Sequence, residues 1–347
     1  MPTIRIADRV VGDDHPTYVI AEAGINHQGD KEIAKQLIDV AAQAGADAVK
    51  FQKRTTNKIL TREGLDAPYE NPNSFGKTYG EHRDALELSG DVYHELKDYS
   101  DGKGIHFLAS GWDSGSIDFL VELGVPALKM ASADLTNLPL LKHAADKGLP
   151  LILSTGMATF EEVKKSVEFV RSTGVPFAVM QCTSTYPSQF PEINLRVIPM
   201  YMKEFGCVVG YSGHELGIAV SAASVAIGAR IIERHFTLDR TMKGGDHAAS
   251  LEPQGLQKLI RDIRAVETSL GDGVKQCYDS ELPVRKKLAK SVVSETTIPA
   301  GTILEPKHLT TKSPGTGISA ALLESCYGRR VKVDIPEDVV INEEMLE

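Results

Sequence analysis

The chain has 347 residues, of which 42% are hydrophobic and 24% charged, a composition typical of a globular protein that can bury a large core. Lys and Arg number 38 against 47 Asp and Glu, a formal net charge of −9, which argues against a nucleic-acid or anionic-membrane surface. The length suits a barrel of roughly 250 residues plus a smaller module.

The first residues and the cysteines indicate the cellular compartment in which the protein resides. Residues 1–15 contain no apolar core of signal-peptide length, and no run approaches the roughly 20 residues of a membrane helix. The four cysteines are too scattered for a zinc ribbon or a redox pair; they are Cys182, Cys207, Cys277 and Cys326. These features predict a cytoplasmic protein whose thiols are free and mostly buried.

One pattern repeats along the chain: a short apolar run rich in β-forming residues ends in polar residues, and an amphipathic stretch follows. The predicted strands are 17–24, 47–52, 106–110, 127–132, 151–155, 177–182, 207–212 and 230–236. The predicted helices are 31–44, 91–101, 114–123, 137–147, 160–172, 194–204, 215–227 and 253–269. Continuous apolar strands separated by helices predict an α/β protein with a parallel sheet, and eight such units close into a (β/α)8 TIM barrel.

A doubly wound open sheet is the alternative to the barrel. Such a sheet usually has fewer strands and often carries a glycine-rich phosphate turn after the first strand. Here the first strand runs into AEAGINHQG (21–29), which does not match that turn. The pattern therefore favours the barrel.

Two segments break the repeat. Residues 53–90 form a connection far longer than the usual βα loop, which is typical of a lid or a binding loop. Residues 271–290 lose their periodicity, and the remaining stretch, rich in Pro, Gly and Thr, contains short β-like pieces. We predict a barrel domain over 1–275, a linker over 276–290 and a small β-rich domain over 291–347.

Polar side chains end all eight predicted strands, where a TIM barrel carries its chemistry. They are Glu22, Lys50, Gln52, Ser110, Lys129, Ser132, Asp134, Ser154, Thr155, Thr183, Ser184, Tyr186, Ser212, His214, Glu233 and His235, with Asp246 and His247 in a following loop. Each is weak evidence alone, because polar strand ends are common. Together they predict one functional site.

Lys50 and Lys129 lie inside apolar runs, where a lysine is costly to bury unless an anion pairs with it. With several hydroxyls converging on the same point, a bound phosphate or carboxylate is the favoured interpretation. A structural Lys–Glu pair is one alternative. A Schiff base on Lys50, as in barrel aldolases, is another.

His214 and His235 end neighbouring strands, so both imidazoles can reach one point. Together with oxygen ligands they suit a divalent ion such as Mn2+ or Mg2+. A hydrogen-bonded histidine pair acting as acid or base is the alternative. Glu22 faces them from the first strand, where a carboxylate could take a proton or anchor a sugar hydroxyl.

Several stretches of the chain resemble the sialic acid synthase family. They include AEAGINHQGD, GADAVKFQK, GKTYGEHR, LKMASADLTNLPLL, STGMAT, QCTSTYP, GYSGHELG, ERHFTLD and GGDHAASLEP. The resemblance covers nearly the whole chain, and the tail is similar to the antifreeze-like (SAF) module that ends these synthases. It implies condensation of phosphoenolpyruvate with N-acetylmannosamine, or its 6-phosphate, to a sialic acid.

The resemblance also implies roles for individual residues. His214 and His235 match metal ligands for Mn2+ or Mg2+, and Glu22, His235 and Asp246 match catalytic positions, with Asp246 also near the sugar. Phosphoenolpyruvate-binding positions match Lys50, Ser110, Lys129, Ser132, Ser154 and Ser212. Positions around the amino sugar match Gln52, Asp134, Tyr186 and Asp246, and we add Ser184 as a substrate-binding residue. Family members form homodimers whose C-terminal module swaps across to close the partner's site.

Two positions depart from the family pattern. Ser313 precedes the Pro-Gly of the tail where bacterial members usually carry Arg, and Asp134 stands where many bacterial members have Glu. The second, together with GKTYGEHR, leans toward the animal-type pattern, whose members take the 6-phosphate sugar. A legionaminic or other nonulosonic acid synthase is an alternative function, and a Schiff-base pyruvate aldolase is a more remote one.

Overall fold

Eight parallel strands close into a barrel, in which the last strand pairs with the first, as the sequence predicts. The computed structural model describes residues 2–347, which form two compact units, one up to Gly271 and one over Asp272–Glu347. The strands of the chain are β1 (Thr3–Ile6), β2 (Arg9–Gly12), β3 (Tyr18–Gly24), β4 (Ala48–Lys53), β5 (His106–Gly111), β6 (Leu128–Met130), β7 (Leu151–Ser154), β8 (Phe177–Cys182), β9 (Val208–Gly213), β10 (Ile231–His235), β11 (Ser291–Ser294) and β12 (Leu309–Lys312).

Helices follow the barrel strands along the chain, and the last helix belongs to the C-terminal unit. They are α1 (Lys31–Ala44), α2 (Thr56–Ile59), α3 (Arg62–Asp66), α4 (Tyr79–Ala85), α5 (Gly90–Gly102), α6 (Ser114–Leu123), α7 (Leu138–Ala145), α8 (Phe160–Ser172), α9 (Phe190–Ile193), α10 (Val197–Phe205), α11 (Ala219–Ala226), α12 (Pro253–Leu270) and α13 (Leu282–Leu288). Within residues 2–347, none of them is both long and apolar enough to span a membrane.

The first helix shows how the sequence sets these boundaries. The Asp30 carboxylate accepts hydrogen bonds from the backbone N–H groups of Glu32 and Ile33, at 2.7 and 3.2 Å, and so caps the start of α1. Gly45 ends α1 in the left-handed region, at φ 84°. Between these caps, buried residues recur at helical spacing and include Leu37 and Ile38. They pack between α1 and the strands.

A two-stranded antiparallel hairpin, β1–β2, closes the N-terminal end of the barrel. Its Ile4, Ile6 and Val11 are buried in one cluster with residues at the starts of the barrel strands, among them Tyr18 and Ile231. Each buried aliphatic side chain stabilises the fold by about 1.5–3 kcal/mol relative to exposure. With this end plugged by apolar side chains, the C-terminal ends of the strands carry the polar site.

The long connection after β4 is structured. It contains the three short helices α2, α3 and α4, and a capping box between Thr78 and Glu81 starts α4. Three rings of this segment, those of Tyr69, Tyr79 and His82, pack against one another with centroids 4.6–6.3 Å apart. The segment is therefore a fixed wall beside the strand ends.

The C-terminal unit has its own small core. Strands β11 and β12 pair antiparallel, and isolated bridges such as Ile298 to Ile335 join its loops. Its buried side chains are Val292, Ile298, Leu304, Leu309, Ile318, Cys326, Val331, Ile335, Ile341 and Leu346. Residues 282–288, which the sequence suggests are linker, form α13, because Pro283 starts a helix well and three basic residues occupy its last turn.

His27 gives a prediction about acid stability. Its ring is 1% exposed and packs against Phe51, and its Nδ1 accepts a hydrogen bond from the Gly29 N–H at 3.0 Å. Burial, aided by the nearby Arg54 charge, lowers the pKa of His27 from 6.5 to about 4. Between these values the unfolded chain binds a proton that the folded chain does not, so the free energy of unfolding falls as the pH drops, by at most about 3 kcal/mol.

The His27→Asn variant isolates this contribution, because Asn keeps an acceptor near the Nδ1 position but cannot titrate. We expect urea unfolding of the wild type to show a steeper loss of stability between pH 6.5 and 4 than that of the variant. Two parallel stability curves over this range would contradict the prediction.

Candidate active site

A cavity of about 320 Å³ lies at the C-terminal ends of the barrel strands, and we call it the reaction cavity. All but one of the residues to which the sequence analysis gives a substrate, metal or catalytic role line it, whereas Thr155, Thr183 and His247 of the wider set of polar strand ends do not. Those that line it are Glu22, Lys50, Gln52, Ser110, Lys129, Ser132, Ser154, Ser184, Tyr186, Ser212, His214, His235 and Asp246. The strand register brings them together: Gln52 lies opposite Ser110, Ser110 opposite Lys129, and His235 opposite Glu22.

Asp134 is the exception, because it lines an adjoining cavity instead. Residues Ser132–Asp134 form a 3-10 turn after β6. The turn leaves Ser132 on the reaction cavity and places Asp134 on the wall of an adjoining cavity of about 820 Å³. Strand alternation does not continue through such a turn, so the sequence pattern could not indicate which cavity Asp134 faces, and its contact with the amino sugar stays a prediction.

The two buried lysines are paired with two buried glutamates. Lys50 Nζ lies 2.7 Å from Glu22 Oε2 and 3.7 Å from Glu233 Oε1. Lys129 Nζ lies 3.6 Å from the same Glu233 oxygen. The Lys–Glu pair that the sequence left as an alternative is therefore present. It does not conflict with an anion site, because an incoming anion can compete for the same ammonium groups.

The two glutamates have very different proton affinities. Burial, reinforced by the charge of Glu233, raises the pKa of Glu22 to about 7 against the attraction of Lys50. Burial also acts to raise the pKa of Glu233, but Lys129 and Lys50, followed by the two histidines, outweigh it and lower that pKa to about 2. Near neutral pH, Glu233 is thus a fixed anion, whereas Glu22 can hold or release a proton.

Hydroxyl groups surround the lysines. Lys50 donates to Ser110 Oγ at 3.1 Å, and Lys129 donates to Ser154 Oγ at 2.5 Å. Ser212 donates to Glu233 Oε1 at 3.2 Å. Hydroxyls and ammonium groups that converge in a buried cavity are suited to hold the oxygens of a phosphate or a carboxylate.

Glycine at position 156 lets two further hydroxyls converge. The Gly156 N–H donates to Ser132 Oγ at 3.1 Å. A Cβ at Gly156 would collide with the hydroxyls of both Ser132 and Ser184. A side chain here would therefore push these groups out of the reaction cavity.

The two histidines face each other with ring centroids 5.3 Å apart, and the Tyr186 ring lies 4.1 Å from the His214 ring and 5.5 Å from the His235 ring. His214 Nδ1 donates to the Thr183 carbonyl oxygen at 2.7 Å, which leaves Nε2 with its lone pair. Among residues 2–347, no group hydrogen-bonds His235 Nδ1, which is buried 3.7 Å from Asp246 Oδ2. Burial, with Asp246 opposing it, lowers the pKa of His235 to about 4, so its imidazole is neutral at pH 7.

These residues fit a divalent ion held by few protein ligands. Two imidazoles on adjacent strand ends, with the Asp246 carboxylate beside them, are suitable donors. Gly24, at φ 55°, leaves space next to them: a Cβ there would lie 3.3 Å from His235 Nδ1 and 3.4 Å from Asp246 Oδ2. Within the described part of the chain, no three His, Cys, Asp or Glu side chains form a ready cage. The fit is therefore to an open site, completed by water or substrate oxygens.

A buried ion pair supports both histidines from behind. Arg234, 1% exposed, donates to Glu215 Oε1 at 2.7 Å and to the Glu215 carbonyl oxygen at 2.6 Å. Arg234 precedes His235 in the chain, and Glu215 follows His214. Tyr211 and Ser221 complete the network by donating to the Glu215 carboxylate, at 2.7 and 3.1 Å. The two strand ends that carry the histidines are thus tied together.

Sequence reasoning assigned no role to several residues that line the reaction cavity. Glu233 is the most important, and its position two residues before His235 on one strand was a usable signal, because such residues share a face. Cys182 lies against His214; burial favours the neutral thiol, yet the contact with His214 lowers the pKa of Cys182. Trp112 and Met157 come from loops and Arg83 from the short helix α4, where the alternation of the strands does not indicate which side chains turn inward.

Two family models together match most of the chain. Residues 37–275 match the model of the NeuB family, and residues 289–347 match that of the SAF domain. The chain is 46% identical to the N-acetylneuraminate-9-phosphate synthase of Homo sapiens, covering 98% of this chain and 95% of the relative. It is 39% identical to the N,N'-diacetyllegionaminic acid synthase of Campylobacter jejuni, covering 94% and 99%.

A solved structure is similar as well. The crystal structure of an N-acetylneuraminic acid synthetase from Leptospira borgpetersenii, in complex with citrate, matches with a TM-score of 0.72 and 34% identity. The match covers 81% of this chain and 94% of that one.

Proposed function

The chain belongs to the NeuB family, the family of sialic acid synthases, and from this premise we propose the reaction that it catalyses. It condenses phosphoenolpyruvate with N-acetylmannosamine, or with the 6-phosphate of that sugar, and with water. The products are N-acetylneuraminate, or its 9-phosphate, and inorganic phosphate. It is an enzyme, a sialic acid synthase; its dependence on phosphoenolpyruvate and its EC 2.5.1 transferase class are parts of the proposal.

The observation that carries the proposal is the pairing of Lys50 and Lys129 with Glu22 and Glu233 beside the two histidines. Phosphoenolpyruvate is a small polyanion, and the two ammonium groups with the hydroxyls of Ser110 and Ser154 offer it charge-assisted hydrogen bonds. Because Glu22 has a pKa of about 7, it can be protonated when the anion enters. Uptake of a proton there lowers the cost of placing an anion beside a buried carboxylate.

The chemistry then follows from which groups can move protons. The C3 carbon of phosphoenolpyruvate forms a bond to the aldehyde carbon of the open-chain sugar, and the aldehyde oxygen takes the proton held by Glu22 and becomes a hydroxyl. Positive charge develops at C2, where the ionised Glu233 stabilises it electrostatically. Water adds to C2 and gives one proton to the ionised Glu22. The bond from C2 to the phosphate oxygen then breaks, and the new C2 hydroxyl gives its proton to the departing phosphate and becomes the ketone. Holding both reactants in line supplies much of the acceleration.

We propose that His214 and His235 hold Mn2+ or Mg2+. A divalent ion at this position would polarise the aldehyde oxygen of the sugar. Asp246, beside His235, is placed to orient a sugar hydroxyl or a water molecule. Tyr186 packs on both imidazoles and limits how they can rotate.

The two alternatives to this reaction are the synthesis of another nonulosonic acid and a Schiff-base aldolase reaction. The relative from Campylobacter jejuni is a diacetyllegionaminic acid synthase, so another nonulosonic acid is a possible product of the same chemistry. A Schiff-base aldolase needs a neutral lysine. Burial acts to lower the pKa of Lys50, but Glu22 and Glu233 outweigh it and raise that pKa, which makes Lys50 a poor nucleophile at neutral pH.

The test of the proposed function is phosphate release from phosphoenolpyruvate. The assay uses N-acetylmannosamine, its 6-phosphate and a diacetamido sugar, each with and without Mn2+. Sugar-dependent phosphate release supports the condensation. A borohydride-trapped pyruvate adduct on any lysine, with no phosphate release, would overturn it in favour of the aldolase.

We further propose a homodimer in which the C-terminal unit covers the partner's barrel and excludes water from the reaction. Around the barrel mouth, Met157 and Phe190 are 71% and 65% exposed. In the C-terminal unit, Leu282, Val284 and Leu288 of α13 are 49–59% exposed. Apolar side chains exposed to this extent on both units suit burial in an assembly.

Complementation tests this arrangement. A chain lacking residues 272–347 and a full-length His235→Ala chain should each be inactive, whereas mixed dimers should regain activity by placing an intact tail over an intact barrel. The chains are unfolded and refolded together, and mixed dimers are isolated by two affinity tags. Background activity in verified mixed dimers would show that the swapped arrangement is wrong.

A further inference from the structure

The adjoining cavity of about 820 Å³ opens beside the reaction cavity. Arg83, Trp112 and Ala133 line both cavities. The wall of the adjoining cavity also includes Arg54 and Lys58, from the segment that precedes α4. A ligand held at the strand ends can therefore extend past Arg83 and Trp112 into a second chamber.

The cations of this chamber are poorly paired with carboxylates. Arg54 is 3% exposed, and Glu87 lies 3.8 Å from its Nε but only 2.5 Å from Lys53 Nζ. The Arg54 guanidinium stacks over Trp112, at 4.9 Å from the ring centroid. Arg83 donates to Tyr79 Oη and stacks over that ring at 4.8 Å. A buried cation held mainly by rings and neutral oxygens is suited to receive an anion.

Two buried N–H groups beside the chamber have no acceptor. In the part of the chain that the structure describes, Arg54 Nε and Trp112 Nε1 make no hydrogen bond. Buried donors are rarely left unpaired, because each costs about 1–3 kcal/mol. Among the acidic residues of the chamber, Asp113 already accepts from Thr55 N at 2.8 Å and from Ser116 Oγ at 2.6 Å.

The carboxylate of Asp134 indicates which group the ligand carries besides its anion. Its carboxylate accepts from Asn137 Nδ2 at 3.2 Å, while its Oδ2 is buried and has no partner among residues 2–347. A free carboxylate oxygen would repel a simple anion but would accept a hydroxyl group. A ligand that brings a hydroxyl to Asp134 and an anion to the arginines is a phosphorylated sugar.

We propose that this chamber binds the phosphate ester of a phosphorylated N-acetylhexosamine, with Arg83 and Arg54 as its ligands and Lys58 at its rim. The inference rests on the proposed condensation and selects the 6-phosphate sugar over the free sugar as its substrate. A guanidinium forms two parallel hydrogen bonds to phosphate. An uncharged group in the same place would not balance the charges of the two guanidinium groups, even though Arg83 already donates to Tyr79 and Arg54 to Gln52.

The experiment compares kcat/KM for N-acetylmannosamine 6-phosphate and for N-acetylmannosamine, in the wild type, Arg83→Gln and Lys58→Gln. The control is Arg62→Gln, because the Arg62 side chain is 95% exposed and lines neither cavity. The wild type should prefer the phosphorylated sugar. Arg83→Gln should reduce that preference by roughly 10- to 100-fold, Lys58→Gln by less, and Arg62→Gln not at all. Arg83→Lys should restore part of it.

Equal use of both sugars by the wild type, or an unchanged preference in Arg83→Gln, would overturn the inference and leave the condensation standing. If neither sugar is turned over, the proposed condensation fails instead. In that case the phosphate site is tested by calorimetric binding of N-acetylmannosamine 6-phosphate. Equal affinities of the wild type and Arg83→Gln would exclude the site. If circular dichroism shows that Arg83→Gln does not fold, the preference for the phosphorylated sugar is measured in Lys58→Glu instead, because Lys58 is exposed.

Discussion

His235→Ala is expected to lower synthase activity by roughly a thousandfold or more, and His214→Ala should cause a loss almost as large. Each change removes one of the two imidazoles proposed to hold the divalent ion, and polarisation of a carbonyl oxygen by such an ion is worth several kcal/mol. The fold should survive, because both side chains lie at the open end of the barrel and the apolar cluster that plugs the other end does not include them.

Three measurements check this expectation: phosphate release at saturating substrates, Mn2+ binding by calorimetry, and thermal unfolding. His143→Ala is the control, since His143 lies on the outer helix α7 and pairs with Asp118 at 2.8 Å. It should keep activity and Mn2+ affinity. Full activity of the wild type after exhaustive chelation would refute the metal assignment, even if both histidine variants were inactive.

Lys129→Met should raise the KM for phosphoenolpyruvate far more than the KM for the sugar. Loss of one partner of a buried charged pair typically costs about 2–5 kcal/mol. Here two effects combine, because the anion loses an ammonium group and Glu233 is left with Lys50 at 3.7 Å as its remaining cation. Equal effects on both substrates would contradict the assignment of Lys129 to the anion site.

A double variant separates the anion site from the Lys–Glu pair. If Lys129 serves mainly to neutralise Glu233, removing both charges in Lys129→Met/Glu233→Gln should recover most of the lost affinity for phosphoenolpyruvate. If Lys129 binds the substrate, the double variant should stay as defective as Lys129→Met. The coupling energy from this cycle, measured with purified proteins at one pH, distinguishes the two roles.

The barrel could be predicted from the sequence because each unit carries its own signal. A continuous apolar strand such as 177–182, followed by a helix with caps, is recognisable without knowledge of its neighbours. The hairpin β1–β2 was missed because four-residue strands give little periodicity, and its burial depends on the barrel end that it plugs. The helices α2–α4 were missed for a similar reason, although Thr78 and Glu81 form a capping signal.

Some residues of the site could likewise be predicted from the sequence, and others could not. Residues on strands, such as Lys50 and His235, were brought together by the register of a closed barrel, which the sequence pattern implies. The cavity that Asp134 lines could not be predicted, and Arg83 and Trp112 were not found, because turns, loops and the short helices of a long connection do not follow the alternation of the strands. The pairing of Lys50 with both Glu22 and Glu233 depends on side-chain directions across three strands, which no linear pattern contains.

The buried pair of Arg234 and Glu215 also determines what a protein engineer can move to another barrel. Transplanting the two histidines alone would carry the imidazoles but not the link between their strand ends. Transplanting Arg234 without Glu215 would bury an unpaired charge, at a cost of about 3–5 kcal/mol. Tyr211 and Ser221 both donate to the Glu215 carboxylate, so they would have to move with it. The smallest transferable unit is therefore the two adjacent strand ends with the start of α11.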